Sequence, residues 1–221
     1  PGYGTASVAQ HTIALILELS NQAGMHSRSV RNGEWASSAD WCYTVSPVTE
    51  LFGKTLGIVG MGNIGWQVAR IGQALGMHVL YHTRRPSPEY PGDAVSLEEV
   101  FVSSDVVSLH CPQTPENTGF VNRDLISKMK RSAFLINTSR GGLINEQDLA
   151  DALKNNVIAG AGLDVLSKEP PGEDHPLTGL KNCIITPHIA WISFESRQRI
   201  MVQTIANVKA FLAGKPVNVV N

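Results

Sequence analysis

Cysteine is scarce in these 221 residues. Cys42, Cys111 and Cys183 are odd in number, widely spaced and form no CxxC pair. That excludes a disulfide framework and fits a reducing compartment. Cysteine and histidine also lack the spacing of a zinc site, so no metal is assigned. Charge of one sign is lacking too: 18 Lys and Arg stand against 19 Asp and Glu, and no long run of either occurs. Neither a nucleic-acid nor an anionic-membrane partner is expected from this balance. Long apolar runs are missing as well. The longest, residues 13–17, falls far short of the ~20 residues that span a bilayer, and no signal-peptide pattern occurs. Together these absences predict a cytoplasmic protein.

What is present is a hydrophobic fraction of 43%, enough for a sizeable core, arranged in a clear alternation. Short apolar runs at 56–59, 79–81, 106–109, 134–136, 158–165 and 183–185 read as buried strands. Between them lie helical patterns at 62–75, stopped by Gly76, at 123–129, and at 146–155 with Asn145 as cap. Ser96-Leu97-Glu98-Glu99 is a capping-box signature that opens one more short helix. Strand–helix alternation predicts an α/β fold, a doubly wound parallel sheet of the Rossmann type with helices on both faces. Longer helices are expected at 7–19 and 194–212, the second ended by Gly214 and Pro216. Residues 30–54, with Trp35, Trp41 and Tyr43, form a long connection. Its aromatic content predicts a subunit-contact arm.

Gly60-Met61-Gly62-Asn63-Ile64-Gly65 is a GxGxxG loop. Alone the pattern describes only a tight turn; between a strand and a helix it is the dinucleotide fingerprint. Gly60 permits the turn, Gly62 lets backbone approach a pyrophosphate, and Gly65 permits close helix packing. The N–H groups at Asn63 and Ile64 then meet phosphate oxygens at the helix N-terminus. NAD-binding proteins usually place an acidic residue at the end of the next strand, on the ribose 2′-hydroxyl. Here that strand ends in Thr83-Arg84-Arg85, with no carboxylate before Glu89. Adjacent guanidiniums can pair a 2′-phosphate, which favours NADP(H) or at least its tolerance; the bland alternative is a solvated turn.

Ligands of such sheets bind beyond the carboxyl ends of the strands. That rule selects His110-Cys111-Pro112, Thr138-Ser139-Arg140, Asp164 with its following loop, and Thr186-Pro187-His188. Among these Arg140, Glu169 and His188 make a plausible catalytic group, while His78, His82, His110 and His175 show no catalytic grouping and are read as surface or packing residues. Histidine titrates near neutrality and suits a proton donor to a developing alkoxide. The arginine fork matches a carboxylate, and a carboxylate beside histidine stabilises its imidazolium. Taken singly, each also has a structural reading: a loop anchor, an exposed turn residue, a helix cap.

These residues resemble the D-2-hydroxyacid dehydrogenase family. The matching stretches are Gly57 to Gly65, Asn137-Thr138-Ser139-Arg140-Gly141-Gly142, Gly162-Leu163-Asp164-Val165 through Glu169-Pro170, and Thr186-Pro187-His188-Ile189. The ending Pro187-His188-Ile189-Ala190-Trp191 looks most like the glycerate dehydrogenase/hydroxypyruvate (glyoxylate) reductase branch. The resemblance implies an NAD(P)-dependent enzyme that moves a hydride between the cofactor and a small 2-keto or D-2-hydroxy acid. It implies that Arg140 binds the substrate carboxylate, that His188 is the acid/base with Glu169 as partner, and that Asp164 holds the nicotinamide carboxamide. It further implies a homodimer through the 30–54 arm. Alternatives within the resemblance are phosphoglycerate, formate or phosphite dehydrogenases, and a dinucleotide-sensing corepressor. Family members carry a further lobe ahead of the position matched by residue 1. The expected division is therefore a dinucleotide-binding domain at 6–192, then at 193–221 a return helix and tail, the remnant of a substrate domain whose N-terminal part lies outside this chain.

Overall fold

A computed structural model describes residues 2–220. Seven strands form one parallel sheet: β1 (Thr55–Val59), β2 (His78–His82), β3 (Asp93–Ala94), β4 (Val106–Leu109), β5 (Phe134–Asn137), β6 (Gly160–Leu163) and β7 (Cys183–Ile185). Their order across the sheet is β3-β2-β1-β4-β5-β6-β7. The chain thus builds outward from β1 in one direction, then returns to add β4 on its other side. Register follows from the pairs Val59↔His82 and Val59↔Leu109, which bring three strand ends level.

Side chains leave a strand alternately to its two faces, and both faces here are apolar. Leu56, Ile58, Val79, Tyr81, Val106, Phe134 and Ile136 belong to one core cluster. It is covered by α1 (Thr5–Asn21), through Ala9, Ile13 and Ile16, and by α3 (Asn63–Ala74), through Val68 and Ala69. Val107, Leu109, Leu135, Ala161 and Leu163 form the other cluster. Its cover comes from α4 (Leu97–Ser103), α5 (Arg123–Ile126) and α6 (Glu146–Lys154), through Phe101, Ile126, Leu149 and Leu153. The doubly wound α/β sheet expected from the sequence is the architecture found.

Several boundaries differ from expectation. A second helix, α2 (Ala23–Arg31), takes up residues 30 and 31 of the supposed arm. Gln22 is left-handed at φ 47 and separates it from α1. Strand β3 was not foreseen; it is two residues long and pairs only Leu80↔Asp93 and Tyr81↔Ala94. The expected helix 123–129 ends at Ile126, because Lys128 and Met129 bond three residues back, to Leu125 and Ile126. The strand expected at 158–165 is confined to Gly160–Leu163; Ile158 is buried without pairing, and Asp164 turns out of the sheet. Ser96 caps α4 by accepting from Glu99 N, but the Glu99 carboxylate takes the Ser103 hydroxyl in place of completing the box.

The 32–54 stretch is tied at its base by Thr49 N to Ser20 O, by Ser29 with the Tyr43 hydroxyl, and by buried Leu51. Its indoles stay outside: Trp41 is 82% and Trp35 52% exposed. The last helix, α7 (Phe194–Leu212), buries only Ser196 and leaves Met201, Val202, Ile205 and Phe211 exposed. Among the described residues, no helix is long and apolar enough to cross a membrane.

Candidate active site

The loop from β1 to α3 is built as its glycines require. Gly60 is left-handed at φ 99, and a Cβ there would lie 2.6 Å from Cys111 N. The turn therefore presses against the loop that follows β4. A Cβ at Gly65 would overlap the Gly60 carbonyl oxygen, so the helix can approach the strand only with glycine there. At Gly62 nothing lies within 4 Å of the missing Cβ. Gly62 is the N-cap of α3 and offers no capping side chain. The first bond of the helix ladder is Trp66 N to Gly62 O, so the N–H groups of Asn63, Ile64 and Gly65 stand ahead of it. An open cradle at an uncapped helix start fits a dinucleotide pyrophosphate.

Gly60 N donates to His82 O at 2.8 Å, which brings the end of β2 beside this cradle. Thr83, Arg84 and Arg85 follow directly; Arg84 and Arg85 are exposed, and neither is in an ion pair among the described residues.

Next to the cradle lies a cleft of about 980 Å³. Its lining includes Ile64, Cys111, Pro112, Thr138, Ser139, Arg140, Asp164 and His188. The structure therefore brings together residues from the ends of β4, β5, β6 and β7. Glu169 does not line the cleft but reaches its edge through His188, whose Nδ1 lies 2.6 Å from Glu169 Oε2. Glu169 Oε1 accepts from Leu166 N at 2.9 Å, which fixes the carboxylate in its own loop. Glu146 secures that loop from α6, taking Ser167 N and the Ser167 hydroxyl, with His175 Nε2 at 3.2 Å.

Arg140 is exposed and held by its neighbours. Buried Asn137 donates to Arg140 O at 2.9 Å and accepts from Ser139 N at 3.0 Å. Ser139 Oγ donates to Leu109 O at 2.8 Å, and buried Thr138 shares a 2.9 Å hydroxyl contact with Thr12. The guanidinium Nη1 donates to Ser139 O at 2.6 Å, leaving its other donors available.

Asp164 is 1% exposed, yet both oxygens are supplied with donors. Oδ1 accepts from Thr186 Oγ1 at 2.6 Å and Ile189 N at 2.9 Å, and Oδ2 accepts from Ala190 N at 2.8 Å. Burial opposes its ionisation, but the bonds from His11, Thr186, Ala190 N and Ile189 N outweigh it and hold the carboxyl below the usual range. The Asp164 carbonyl also takes His188 N at 2.9 Å. His188 itself is left-handed at φ 54. That conformation costs a non-glycine residue on the order of 1–3 kcal/mol, so the surroundings must impose it.

His110, expected to be only a surface or packing residue, also lines the cleft. Burial pushes its pKa down to about 3, so the ring stays neutral, with Nε2 at 2.8 Å from Ser108 Oγ. His11 and Thr12 went unrecognised as well. The available signal was a polar pair on the α1 stripe of Val8, Leu15 and Leu19.

Comparison with known proteins places the chain. Residues 13–190 match the family model described as D-isomer specific 2-hydroxyacid dehydrogenase, NAD binding domain. The chain belongs to this family, whose members are NAD(P)-dependent hydride-transfer oxidoreductases of small 2-keto and 2-hydroxy acids, and it is an enzyme of that class. It is 50% identical to a hydroxypyruvate reductase of Blautia hydrogenotrophica, over all of this chain and 70% of that protein. It is 42% identical to a glycerate dehydrogenase of Methylorubrum extorquens, over 99% of this chain and 69% of that protein. Among solved structures, an acyclic imino acid reductase in complex with NADPH and D-Arg superposes with a TM-score of 0.89 at 36% identity, covering all of this chain and 69% of that one.

Proposed function

We propose that the enzyme reduces hydroxypyruvate or glyoxylate to D-glycerate or glycolate, with His188 as the acid, Glu169 as its partner and Arg140 as the carboxylate anchor. The observation that carries this reading is the 2.6 Å His188–Glu169 pair on the same cleft as Arg140. Similarity to a hydroxypyruvate reductase and a glycerate dehydrogenase supports the choice of acid.

The cradle at Gly60, Gly62, Asn63, Ile64 and Gly65 would hold the pyrophosphate, and Thr83, Arg84 and Arg85 the adenosine ribose end. Cys111, Pro112, Thr138 and Ser139 would flank the chain of the cofactor toward the cleft. Asp164 has one acceptor position left on Oδ2 for the nicotinamide carboxamide. With two adjacent arginines and no carboxylate before Glu89, NADP(H) is accepted at least as well as NAD(H). The NADPH of the imino acid reductase agrees with this.

The bound dihydronicotinamide supplies the hydride. Arg140 places the substrate carboxylate through paired N–H bonds and draws charge toward the carbonyl oxygen. Glu169 accepts from His188 Nδ1–H and so makes Nε2 the nitrogen that carries the transferable proton. His188 then releases that proton to the forming alkoxide. The exposed indoles of Trp35 and Trp41 support a homodimer through the arm.

The test is a rate panel of hydroxypyruvate, glyoxylate and pyruvate, each with NADPH and NADH, on the protein and on His188→Gln. We expect hydroxypyruvate or glyoxylate to lead and His188→Gln to lose at least ~100-fold in kcat with cofactor affinity nearly unchanged. Equal losses of rate and cofactor affinity would assign His188 a structural role. A preference for pyruvate would overturn the substrate assignment.

A further inference from the structure

Thr186 has a single hydroxyl proton, and its short 2.6 Å contact with Asp164 Oδ1 commits that proton to the carboxylate. His11 Nε2 lies 2.9 Å from the same Thr186 oxygen. The hydroxyl can only accept there, so His11 carries its proton on Nε2. That N–H also points toward Asp164 Oδ1, 3.4 Å away. The tautomer of a histidine that does not line the cleft thus follows from the direction of one threonine hydroxyl.

The loop that His11 reaches is the one that carries His188. Thr186 and the N–H groups of Ile189 and Ala190 all bind the Asp164 carboxylate, and His188 N binds the Asp164 carbonyl. Four of the five positions from 186 to 190 are held by one residue, around a histidine kept at φ 54. Every donor in this set except one comes from the loop itself. The exception is His11, from α1, separated from Thr186 by 175 positions. Ser7 Oγ, one turn earlier on α1, donates to Ala190 O at 2.6 Å and holds the far end of the loop. Helix α1 is packed on the sheet by Ala9, Ile13 and Ile16, so it is a rigid base for this attachment.

We infer that His11 is a positioning residue for His188, acting through Thr186 and Asp164 by donating its Nε2 proton into their hydrogen-bond network. This role rests on the proposed acid function of His188. Without the donor, Thr186 keeps a part-buried lone pair unfilled and the carboxylate loses part of its support. The loop can then leave the one conformation in which His188 meets substrate, and small misplacements of a catalytic group are costly in rate.

The variants to compare are His11→Gln and His11→Met. They are close in volume and both are good helix formers, but only glutamine can donate, from near the position of imidazole Nε2. We expect His11→Met to lower kcat by roughly 10–100-fold with the Kd for NADPH, read by cofactor fluorescence, within about threefold. His11→Gln should recover kcat to within about threefold of the unaltered protein. Histidine side-chain NMR of the cofactor-free protein gives a second readout. His11 should show its proton on Nε2, and in His11→Met the His188 signals should broaden or split. Equal kcat in Gln and Met variants would overturn the role, as would a loss confined to NADPH affinity. His11→Leu stands in if the Met variant does not fold. A protein that turned over no 2-keto acid would sink the functional reading alone. The NMR comparison would then decide, with unchanged His188 signals in His11→Met refuting the positioning role.

Discussion

Replacing Asp164 with asparagine changes almost no volume, so its effect isolates what the carboxylate does. Two orientations of the amide are available. In the better one, the amide oxygen takes the Oδ1 site and keeps Thr186 and Ile189 N, while the NH2 group lands at Oδ2 and confronts Ala190 N–H. Two buried donors then lack an acceptor, at about 1–3 kcal/mol each. The two bonds that survive drop from charge-assisted to neutral, which costs roughly 1 kcal/mol more. In the flipped orientation the NH2 group meets Thr186 and Ile189 N together, which is worse. Asp164→Asn should therefore cost about 3–7 kcal/mol. At ~2–4 °C per kcal/mol for a chain of this size, the Tm should fall by roughly 10–20 °C.

The pH dependence adds a check. The folded-state pKa of Asp164 is depressed, so its contribution is present above the unfolded value, about 3.9, and is lost as pH falls through the lower folded value. The gap between Asp164→Asn and the unaltered protein should thus be constant near neutrality and narrow in urea titrations below about pH 4. A difference under ~1 kcal/mol at pH 7 would refute the account of a carboxylate engaged through both oxygens. So would a gap that widens with acid.

Changing Arg84 and Arg85 together to serine should weaken NADPH binding by about 10–100-fold, the worth of one lost charge-assisted contact, with NADH affinity within about threefold; fluorescence titration reads both, and equal losses would mean the guanidiniums do not meet a 2′-phosphate. Gly65→Ala should abolish detectable dinucleotide binding, because its Cβ overlaps the Gly60 carbonyl and forces α3 away from the cradle; calorimetry with NADPH checks this. Sedimentation should give a dimer for the unaltered protein and a monomer for Trp35→Glu with Trp41→Glu, whereas a dimer that survives both changes would put the interface elsewhere.

The strands of the sheet were legible because a parallel sheet covered on both faces leaves short, fully buried and mostly apolar runs, as at Val106–Leu109 and Phe134–Asn137. The glycine loop was legible for a related reason. Backbone crowding at Gly60 and Gly65 admits no other residue, so the pattern is written into the chain. Asn145 and Ser96 were read correctly as caps because capping is local. Features made by distant partners were not legible. Strand β3 has two residues and exists only because β2 offers an edge. The break between α1 and α2 rests on a left-handed Gln22, which no composition rule announces. His11 is one polar residue of a largely apolar helix, and its proposed role depends on Thr186 across 175 positions. The left-handed backbone of His188 is likewise imposed by Asp164 contacts that sequence spacing does not reveal.

The strand order sets the two proposed tasks, cofactor choice and proton transfer, on either side of one seam. Arg84 and Arg85 follow β2, and His188 follows β7, so five strand spacings of about 4.8 Å, roughly 24 Å, lie between those strands. The hydrogen bonds that hold His188 run through Asp164, Thr186 and α1, and none of them involves β2 or its following loop. The seam is at β1 and β4, where Gly60 presses on the backbone of His110 and Cys111. Sites this far apart without shared partners combine additively, within about 0.5 kcal/mol. Combining the Arg84/Arg85 serine changes with Asp164→Asn should therefore weaken NADPH binding, relative to Asp164→Asn alone, by the same factor that the serine changes give on their own, and leave the stability loss of Asp164→Asn in the cofactor-free protein unaltered. A coupling energy above ~1 kcal/mol would mean that cofactor choice and the His188 loop share a connection across the sheet, and the β1–β4 seam would be the place to look for it.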